Sequence, residues 1–528
     1  MKLIYPIFCD KGRLLRLAIA LVFGAGSVAS ASASVNQSAP SAAVVTATAA
    51  GQTQSSTTAA AAFVPNQVIV KLKTGANLGV AASASLASGS ALAGAPGLSA
   101  LMQKHRVSKS ESLSRRTSSN KSNIQATSGA SESLPNGLDR IYVFTVEGSD
   151  IENIAKEFSR DPSVEYAEPN HMAKVQMVPN DTYYSTSGSF GQSFGDLWGV
   201  KTMLPETAWD TTQGAGITVA VIDTGVEISH EDLAANIWVN PGEVAGNGID
   251  DDQNGYPDDV NGYDFVGAHW YAPAPDGNPS DVYGHGTHVA GIIAAVGNNN
   301  KGVIGVAPKA KIMVVRALDD DGYGGDFQIA QAIVYAADRG ARVINMSLGG
   351  SGASSTQADA LAYAKSLGVV LVAAAGNSNG DANYFVPARD ANVITVGAIS
   401  PQLTLASYSN FGAKIDVVAP GSDILSALAA GSLIEQQLLD QIAAGNPSRI
   451  VGQKYAALSG TSMATPMVAG AVALMLAKSP GLSPEEVRYR LKKNAVDMGS
   501  SGWDAKFGSG RVNVNTTLAD ASIASRRT

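Results

Sequence analysis

The stretch Val219-Ala220-Val221-Ile222-Asp223-Thr224-Gly225 decides the fold. Four consecutive apolar residues, closed by an acid and a glycine, leave a strand with no polar face. Such a strand is covered on both sides, as in a parallel sheet. Outward from it, apolar runs recur at Ile217–Ile222, Lys311–Ala317, Ala341–Ser347, Val369–Ala375, Val393–Ala398 and Ile415–Ala419. Helical patterns fall at Gly286–Val296, Phe327–Arg339, Thr356–Ser366, Ser462–Lys478 and Pro484–Asn494. The alternation predicts an α/β domain, a doubly wound and mostly parallel sheet with helices on both faces. We expect one large domain over 177–520 and find no internal repeat.

Composition narrows the function classes. The chain has 528 residues, 45% hydrophobic and 16% charged, which is ample for a large core. Its formal net charge of −8 argues against a nucleic-acid partner, which requires a basic face. A single cysteine, Cys9, rules out a disulfide framework, a multi-cysteine zinc site and a cysteine redox pair.

The N-terminus has the pattern of an export signal over 1–33. Lys2, Lys11, Arg13 and Arg16 give a basic start, and an apolar stretch runs from Leu17 to about Val28. Small-x-small triplets such as Ala29-Ser30-Ala31 follow, where cleavage is expected. The apolar run is shorter than the ~20 residues of a membrane span, so no stable membrane anchor is expected. Residues 34–62 are rich in Ala, Ser and Thr and read as a linker. Residues 63–176 read as a small α+β module. It has strands near 64–73, 140–146 and 164–168, a short helix around Leu98–His105, a helix at Ile151–Arg160, and a low-complexity stretch between the first two strands. Arg115-Arg116 within that stretch is a cleavage point or an exposed pair. A short tail occupies 521–528.

Three motifs carry the chemistry. Asp223 ends an apolar strand. Gly284-His285-Gly286-Thr287-His288-Val289-Ala290-Gly291 sets a histidine at a helix start, with glycines that permit a tight turn. Gly460-Thr461-Ser462-Met463-Ala464-Thr465-Pro466 sets a serine at another helix start. Carboxyl ends of parallel strands and nearby helix starts are where such sheets build their sites. A serine hydroxyl is a weak nucleophile near neutrality and needs a base within reach. Histidine can take that proton and return it. A buried carboxylate fixes the imidazole tautomer and stabilises the imidazolium.

In this order, Asp223, His285 and Ser462 resemble the catalytic triad of the subtilisin-like serine proteases, the subtilases. The resemblance covers about residues 178–518. It implies a secreted serine endopeptidase that hydrolyses peptide bonds through an acyl-enzyme, and it makes the 63–176 module similar to the family's inhibitory, fold-assisting propeptide. It also implies polypeptide substrates, no organic cofactor, and a monomer when mature. Val372-Ala373-Ala374-Ala375-Gly376-Asn377 resembles the segment whose Asn, here Asn377, donates to the oxyanion beside the Ser462 backbone N–H. Ser347, Leu348 and Gly349 resemble the substrate-binding strand, and Gly322, Tyr323 and Gly324 its opposite edge. Main-chain pairing there gives affinity, and pockets give selectivity. Phe385 is expected at the floor of the S1 pocket, and Val386-Pro387 is expected to be cis.

The rival readings are an inactive subtilase-fold binding protein or scaffold, and an α/β-hydrolase esterase. The first calls for a lost triad member or a lost Asn377, and both are intact. The second calls for Ser before Asp before His in a Gly-x-Ser-x-Gly elbow, which the chain lacks.

The resemblance implies structural calcium, which takes oxygen ligands. Asp181 and Asp232 match family calcium ligands, with Asn299 as the side chain supplied by the loop Gly297–Gly302. A second candidate is the loop carrying Asp250, Asp252, Asn254 and Asp258, with Gly255 at its turn. Asn261 stands where an EF-hand would carry Glu, so the loop is a shorter calcium loop or an acidic surface loop. Two departures from the family pattern stand out. Met467 replaces the usual His after Pro466, at little expected catalytic cost. Residues 432–453 are inserted and carry an amphipathic helix, Leu433, Ile434 and Leu438 on its apolar side, that modulates access or decorates the surface.

Overall fold

A computed structural model describes residues 63–76, 78, 95–113, 135–172, 178–203 and 205–520. The expected leader, linker and tail, the Arg115-Arg116 pair and residues 173–177 lie outside the described residues. The chain divides into two compact units between Val175 and Gln176.

Among its described residues, the N-terminal unit is an antiparallel sheet with two α-helices. Its strands are β1 (Phe63–Leu72), β2 (Lys109–Ser112), β3 (Ile141–Thr145) and β4 (Val164–His171), in the order β2-β3-β1-β4. Val68, Val70 and Leu72 alternate into a core with Phe144, Phe158 and Leu98. Helix α1 (Pro96–Lys104) sends Leu98 and Met102 inward. Helix α2 (Ile151–Ser159) starts at Asp150, whose carboxylate accepts the Asn153 N–H, an N-cap that satisfies a free donor of the first turn. Strand β2, Lys-Ser-Glu-Ser, was not expected from the sequence. It is a polar edge strand, held by register with β3 and lacking an apolar alternation.

The C-terminal unit opens with short helices α3 (Trp198–Thr202) and α4 (Pro205–Trp209). Its sheet is formed by β5 (Thr218–Asp223), β6 (Gly262–Asp264), β7 (Lys311–Arg316), β8 (Val343–Met346), β10 (Val370–Ala374), β12 (Val393–Ile399) and β13 (Val417–Pro420). The order is β13-β12-β10-β8-β5-β7-β6, and every pairing is parallel. The doubly wound α/β sheet expected from the sequence is therefore present. Only β6, three residues long, escaped the apolar pattern.

Burial explains the uninterrupted apolar strands. Val219 and Val221 of β5 face one core with Val314, Val343 and Val372. Ala220 and Ile222 face the opposite core with Met313, Val315 and Ile344. Helices α5 (His285–Ala294) and α9 (Thr461–Lys478) cover the first face. Helices α6 (Asp326–Asp338) and α7 (Ser355–Ser366) cover the second. Helix α9 is long and apolar enough to cross a membrane, but it is buried as the central core helix. Met467 is fully buried on it and lies where a Cβ at Gly199 would touch it, so it is a packing residue.

Smaller elements surround this frame. Strands β9 (Gly350–Ser351) and β11 (Phe385–Val386) pair antiparallel, and Val386-Pro387 is cis as expected. Strands β14 (Ile424–Ala427), β15 (Ile450–Val451) and β16 (Tyr455–Leu458) form a three-stranded sheet. The inserted segment contains the expected amphipathic helix α8 (Leu433–Ala443), capped by Ser432. Its Ile434 and Leu438 pack with Leu428 and Ala456. Helices α10 (Pro484–Lys493) and α11 (Val514–Ala519) close the unit; α10 starts with a capping box between Ser483 and Glu486.

Candidate active site

Asp223, His285 and Ser462 stand at the positions the fold reserves for a site: the end of β5 and the starts of α5 and α9. Two glycines make the first approach possible. Gly284 caps α5 in the left-handed region, at φ 102°. A Cβ on Gly286 would lie 2.1 Å from the Gly225 carbonyl oxygen, so only glycine lets α5 start against the end of β5.

His285 Nδ1 lies 2.7 Å from Asp223 Oδ1. The carboxylate can only accept, so Nδ1 carries the proton and Nε2 is left as the free base. Asp223 is fully buried, and the same oxygen accepts the Thr224 N–H at 2.8 Å. Burial pulls the His285 pKa down, but the charge and hydrogen bond of Asp223, with the charge of Asp281, outweigh it, and the net shift is upward. The neighbouring His288 behaves differently. It is buried, accepts no counter-charge, and its pKa is driven down to about 3, so it stays neutral. Its Nε2 bonds the Ala456 carbonyl at 2.9 Å, tying α5 to β16.

Ser462 is held by β8. Its Oγ donates to the Ser347 carbonyl at 3.0 Å. In return, Ser347 Oγ donates to the Ser462 carbonyl at 2.8 Å and receives Asn345 Nδ2 at 3.1 Å. The reciprocal bond follows from Pro466. Proline has no N–H to reach the carbonyl four residues back, so the Ser462 carbonyl is free to take a side-chain donor.

Asn377 follows β10. Its Oδ1 accepts the Thr461 N–H at 2.8 Å and the Thr461 hydroxyl at 2.9 Å. The oxygen is thereby fixed, and the amide nitrogen is directed to the Gly460–Ser462 segment, 3.4 Å from where a Gly460 Cβ would stand. Thr461 Oγ1 also accepts the Gly376 N–H at 3.1 Å. Sequence reasoning missed this clamp. A Thr before the Ser is visible in the motif, but its partner lies 84 residues away.

Of the expected substrate-binding residues, Ser347 is buried and its side chain is engaged with Ser462, while Leu348 is buried. Gly349 lies against the Phe385 ring, where a Cβ would come within 2.3 Å. Phe385 also borders Gly376, at 3.1 Å from its would-be Cβ. Gly322, Tyr323 and Gly324 form a loop here, held by Asp319, whose carboxylate accepts the Tyr323 N–H at 2.8 Å. Tyr323 is exposed.

The expected metal residues separate into two groups. Asp181 and Asp232 are both buried, at 4% and 0% exposure, and converge on the loop 297–302. Asp181 accepts the Asn298 and Asn299 N–H groups at 3.0 and 3.4 Å. Asp232 accepts Asn299 Nδ2 at 2.7 Å and the Val303 N–H at 2.9 Å. Burial raises the Asp181 pKa, the backbone donors oppose it, and the charge of Asp232 adds to it. Two buried carboxylates facing one another fit a divalent, oxygen-seeking cation. Asn299 Oδ1 accepts the Lys301 N–H at 2.8 Å, while its amide nitrogen is the group that meets Asp232.

The second loop is built differently from its expectation. Asp250 accepts the Asn254 and Gly255 N–H groups, and Asn254 Oδ1 accepts the Tyr256 N–H. Asp258 sits at φ 57°, which turns its carboxylate to the N–H groups of Gly246, Asn247 and Gly248. The carboxylates that converge are Glu243, Asp252 and Asp259. Only Asp252 belongs to the expected set. Asp259 is fully buried and already accepts from Asn240 at 2.6 Å and from Tyr335 at 2.8 Å.

Comparison with known proteins gives the family. Residues 214–510 match the subtilase family, peptidase S8. A thermophilic serine proteinase of Bacillus sp. (strain AK1) is 40% identical over 364 residues, spanning 69% of this chain and 75% of that protein. An extracellular protease of Xanthomonas campestris is 37% identical over 396 residues, spanning 71% of this chain and 63% of that protein. Among solved structures, a protease of Pseudoalteromonas arctica aligns with a TM-score of 0.52 at 32% identity, covering 65% of this chain and 99% of that one.

Proposed function

Since the chain belongs to the subtilase family and is a subtilisin-like serine endopeptidase, we propose that Asp223, His285 and Ser462 are its triad and that it is made as an exported, self-processed zymogen. The observation that carries this reading is the 2.7 Å bond from His285 Nδ1 to buried Asp223, which leaves Nε2 as the base.

An extended polypeptide lies between Ser347–Gly349 and Gly322–Gly324. The Ser462 hydroxyl turns from the Ser347 carbonyl to His285 Nε2; catalytic hydrogen bonds often tighten only when substrate is bound. Nε2 takes the proton as Oγ bonds to the scissile carbonyl carbon. The oxyanion accepts from Asn377 Nδ2 and the Ser462 backbone N–H. His285 then protonates the leaving amine nitrogen, the C–N bond breaks, and an acyl-enzyme remains. Water attacks the ester, its proton passes to His285 and on to Ser462, and the acid is released. An inactive scaffold would have no use for an Asn377 amide locked by Thr461.

The 63–176 module acts as the intramolecular inhibitor and folding aid, and 177–520 as the peptidase. Export follows from the 1–33 leader and agrees with the name of the Xanthomonas relative. Calcium is held by Asp181 and Asp232 with the 297–302 loop, where it neutralises two buried charges and ties the start of the mature chain to the domain. A further ion at the second loop would be held by Glu243, Asp252 and Asp259. The mature enzyme is monomeric and needs no organic cofactor.

The test is purification of the precursor and of its Ser462→Ala variant, each with and without calcium, followed by intact mass. The expected result is loss of the first ~175 residues from the wild type alone. Loss from neither protein, even after a trace of mature enzyme is added, would overturn the reading.

A further inference from the structure

We propose that Asp281 is a positioning residue for the catalytic pair, a second carboxylate that ties the end of β5 to the start of the His285 helix. The inference rests on the triad reading above.

Four donors converge on this one side chain. Asp281 Oδ1 accepts the Gly284 N–H at 2.7 Å and the Thr224 hydroxyl at 2.9 Å. Its Oδ2 accepts the Thr287 N–H at 2.9 Å and the Thr287 hydroxyl at 2.6 Å. Gly284 precedes His285 and Thr287 follows it by two, so the carboxylate grips the backbone on both sides of the histidine. The remaining arm reaches Thr224, whose hydroxyl oxygen in turn accepts the Gly286 N–H at 3.0 Å. The Thr224 N–H is bonded to Asp223 Oδ1, the oxygen that receives His285. Asp223 and His285 come from segments 62 residues apart, and this lattice fixes the distance between them. Thr287 Oγ1 is anchored further by the Glu227 N–H at 2.8 Å.

The other side of the same turn is held by α8. The Leu433 and Ile434 N–H groups donate to the Val282 and Tyr283 carbonyls, both at 3.0 Å. A Cβ on Gly284 would meet Ser432 Oγ at 2.6 Å. The turn that delivers His285 is thus clamped from within by Asp281 and from outside by the inserted helix.

Asp281 also acts through its charge. Burial raises its carboxyl to about 6 against the pull of its four donors, so it is ionised at neutral pH. It then joins Asp223 in favouring the imidazolium. The other titratable groups around this pair are His288 on α5, held neutral, and Tyr283, with Tyr323 and Asp321 beyond it on the 319–324 loop. A neutral amide cannot replace the carboxylate, since its NH2 would face two of the four donors.

The experiment compares mature wild type, Asp281→Asn and Thr224→Val on a soluble peptide amide across pH, with active sites counted by a fluorophosphonate probe. Wild type must label and turn over; if it does not, the triad reading fails and not this inference. For Asp281→Asn, kcat per labelled site should fall about ten-fold or more with KM within about two-fold. The acidic limb of kcat/KM should move to lower pH by ~0.5 unit, since one anion beside the imidazolium is gone. A merely structural role would lower the labelled fraction and leave the kcat and acidic limb of the remaining sites unchanged, and that result overturns the proposal. Thr224→Val keeps the Asp281 charge but cuts its link to Asp223 and Gly286. It should lose kcat in the same way with its acidic limb unmoved. Should Asp281→Asn fail to fold, Thr224→Val decides: wild-type kcat per site overturns the proposal.

Discussion

The catalytic edge of the sheet and the Asp181–Asp232 corner handle buried charge in opposite ways. At the edge, the acidic and polar side chains find partners within the chain: Asp223 Oδ1 accepts from His285 and Thr224, Asn377 Oδ1 accepts from Thr461, and the Ser462 hydroxyl donates to the Ser347 carbonyl. At the corner, two carboxylates are brought together with amide N–H groups and the Tyr455 hydroxyl around them. The first arrangement draws its partners from the chain itself. The second, on the reading proposed above, would be completed by a cation. Preorganised dipoles supply transition-state stabilisation without rearrangement, whereas a metal ligand set trades that readiness for a stability that depends on the solution.

The sharpest way to break the comparison is at the edge. If the network is one catalytic unit, His285→Ala should cost on the order of 10⁶ in kcat, as much as removing Ser462, and the double variant should cost little more. Initial rates on a chromogenic peptide amide, corrected for contaminating protease, measure this. Additive losses would mean that the two residues act independently.

The next effect separates the oxyanion donor from the triad. Asn377→Ala should lower kcat by about 10²–10³ with KM little changed, because the amide contributes in the transition state alone. The Thr461 clamp makes this sharper. Thr461→Val removes one of the two bonds that hold Asn377 Oδ1 and spares the backbone one. Its loss in kcat should be smaller than that of Asn377→Ala, and smaller again in an Asn377→Ala background, where only the lost acceptor of the Gly376 N–H counts. An undiminished loss there would place Thr461 outside the clamp.

These contrasts mirror what could be read from the sequence. The sheet was legible because strands buried on both faces must be apolar throughout, and the period change to helices is local. The residues proposed as the triad stood out because each sits in a short motif whose glycines and small residues are dictated by close approach. Thr461, Asp281 and Thr224 were not, since each is an ordinary polar residue until the fold supplies its partner from a distant segment. The acidic loop shows the same limit from the other side. Alternating oxygens suggested Asp250, Asn254 and Asp258, but local turns consumed them as backbone acceptors, and the carboxylates left to converge were Glu243, Asp252 and Asp259. The polar strand β2 and the three-residue β6 carry no periodic signal at all.

The smallest effect tests the corner itself. If Asp181 and Asp232 hold calcium, chelation should lower thermal stability while the edge, which needs no ion, keeps its hydrogen bonds. At free calcium ~1,000-fold above the dissociation constant, linkage gives about 4 kcal/mol, or a fall in Tm of roughly 5–6 °C for a domain of about 340 residues. Differential scanning calorimetry of the Ser462→Ala protein, which cannot digest itself, measures it without autolysis. Asp181→Asn removes one of the two facing charges. It should therefore raise the stability of the calcium-free form towards that of the loaded wild type, and it should abolish most of the response to chelator. Asp252→Asn provides the contrast. Its carboxylate belongs to the Glu243–Asp252–Asp259 group, with Asn240 at 3.0 Å and Arg339 at 3.6 Å, so it should lose only the share of the chelator response that belongs to the second loop and keep the share that belongs to the corner. An equal loss of response in both variants would show that the two acidic regions form one linked set of ion sites, and the contrast between a self-completed edge and a cation-completed corner would then extend to the second loop.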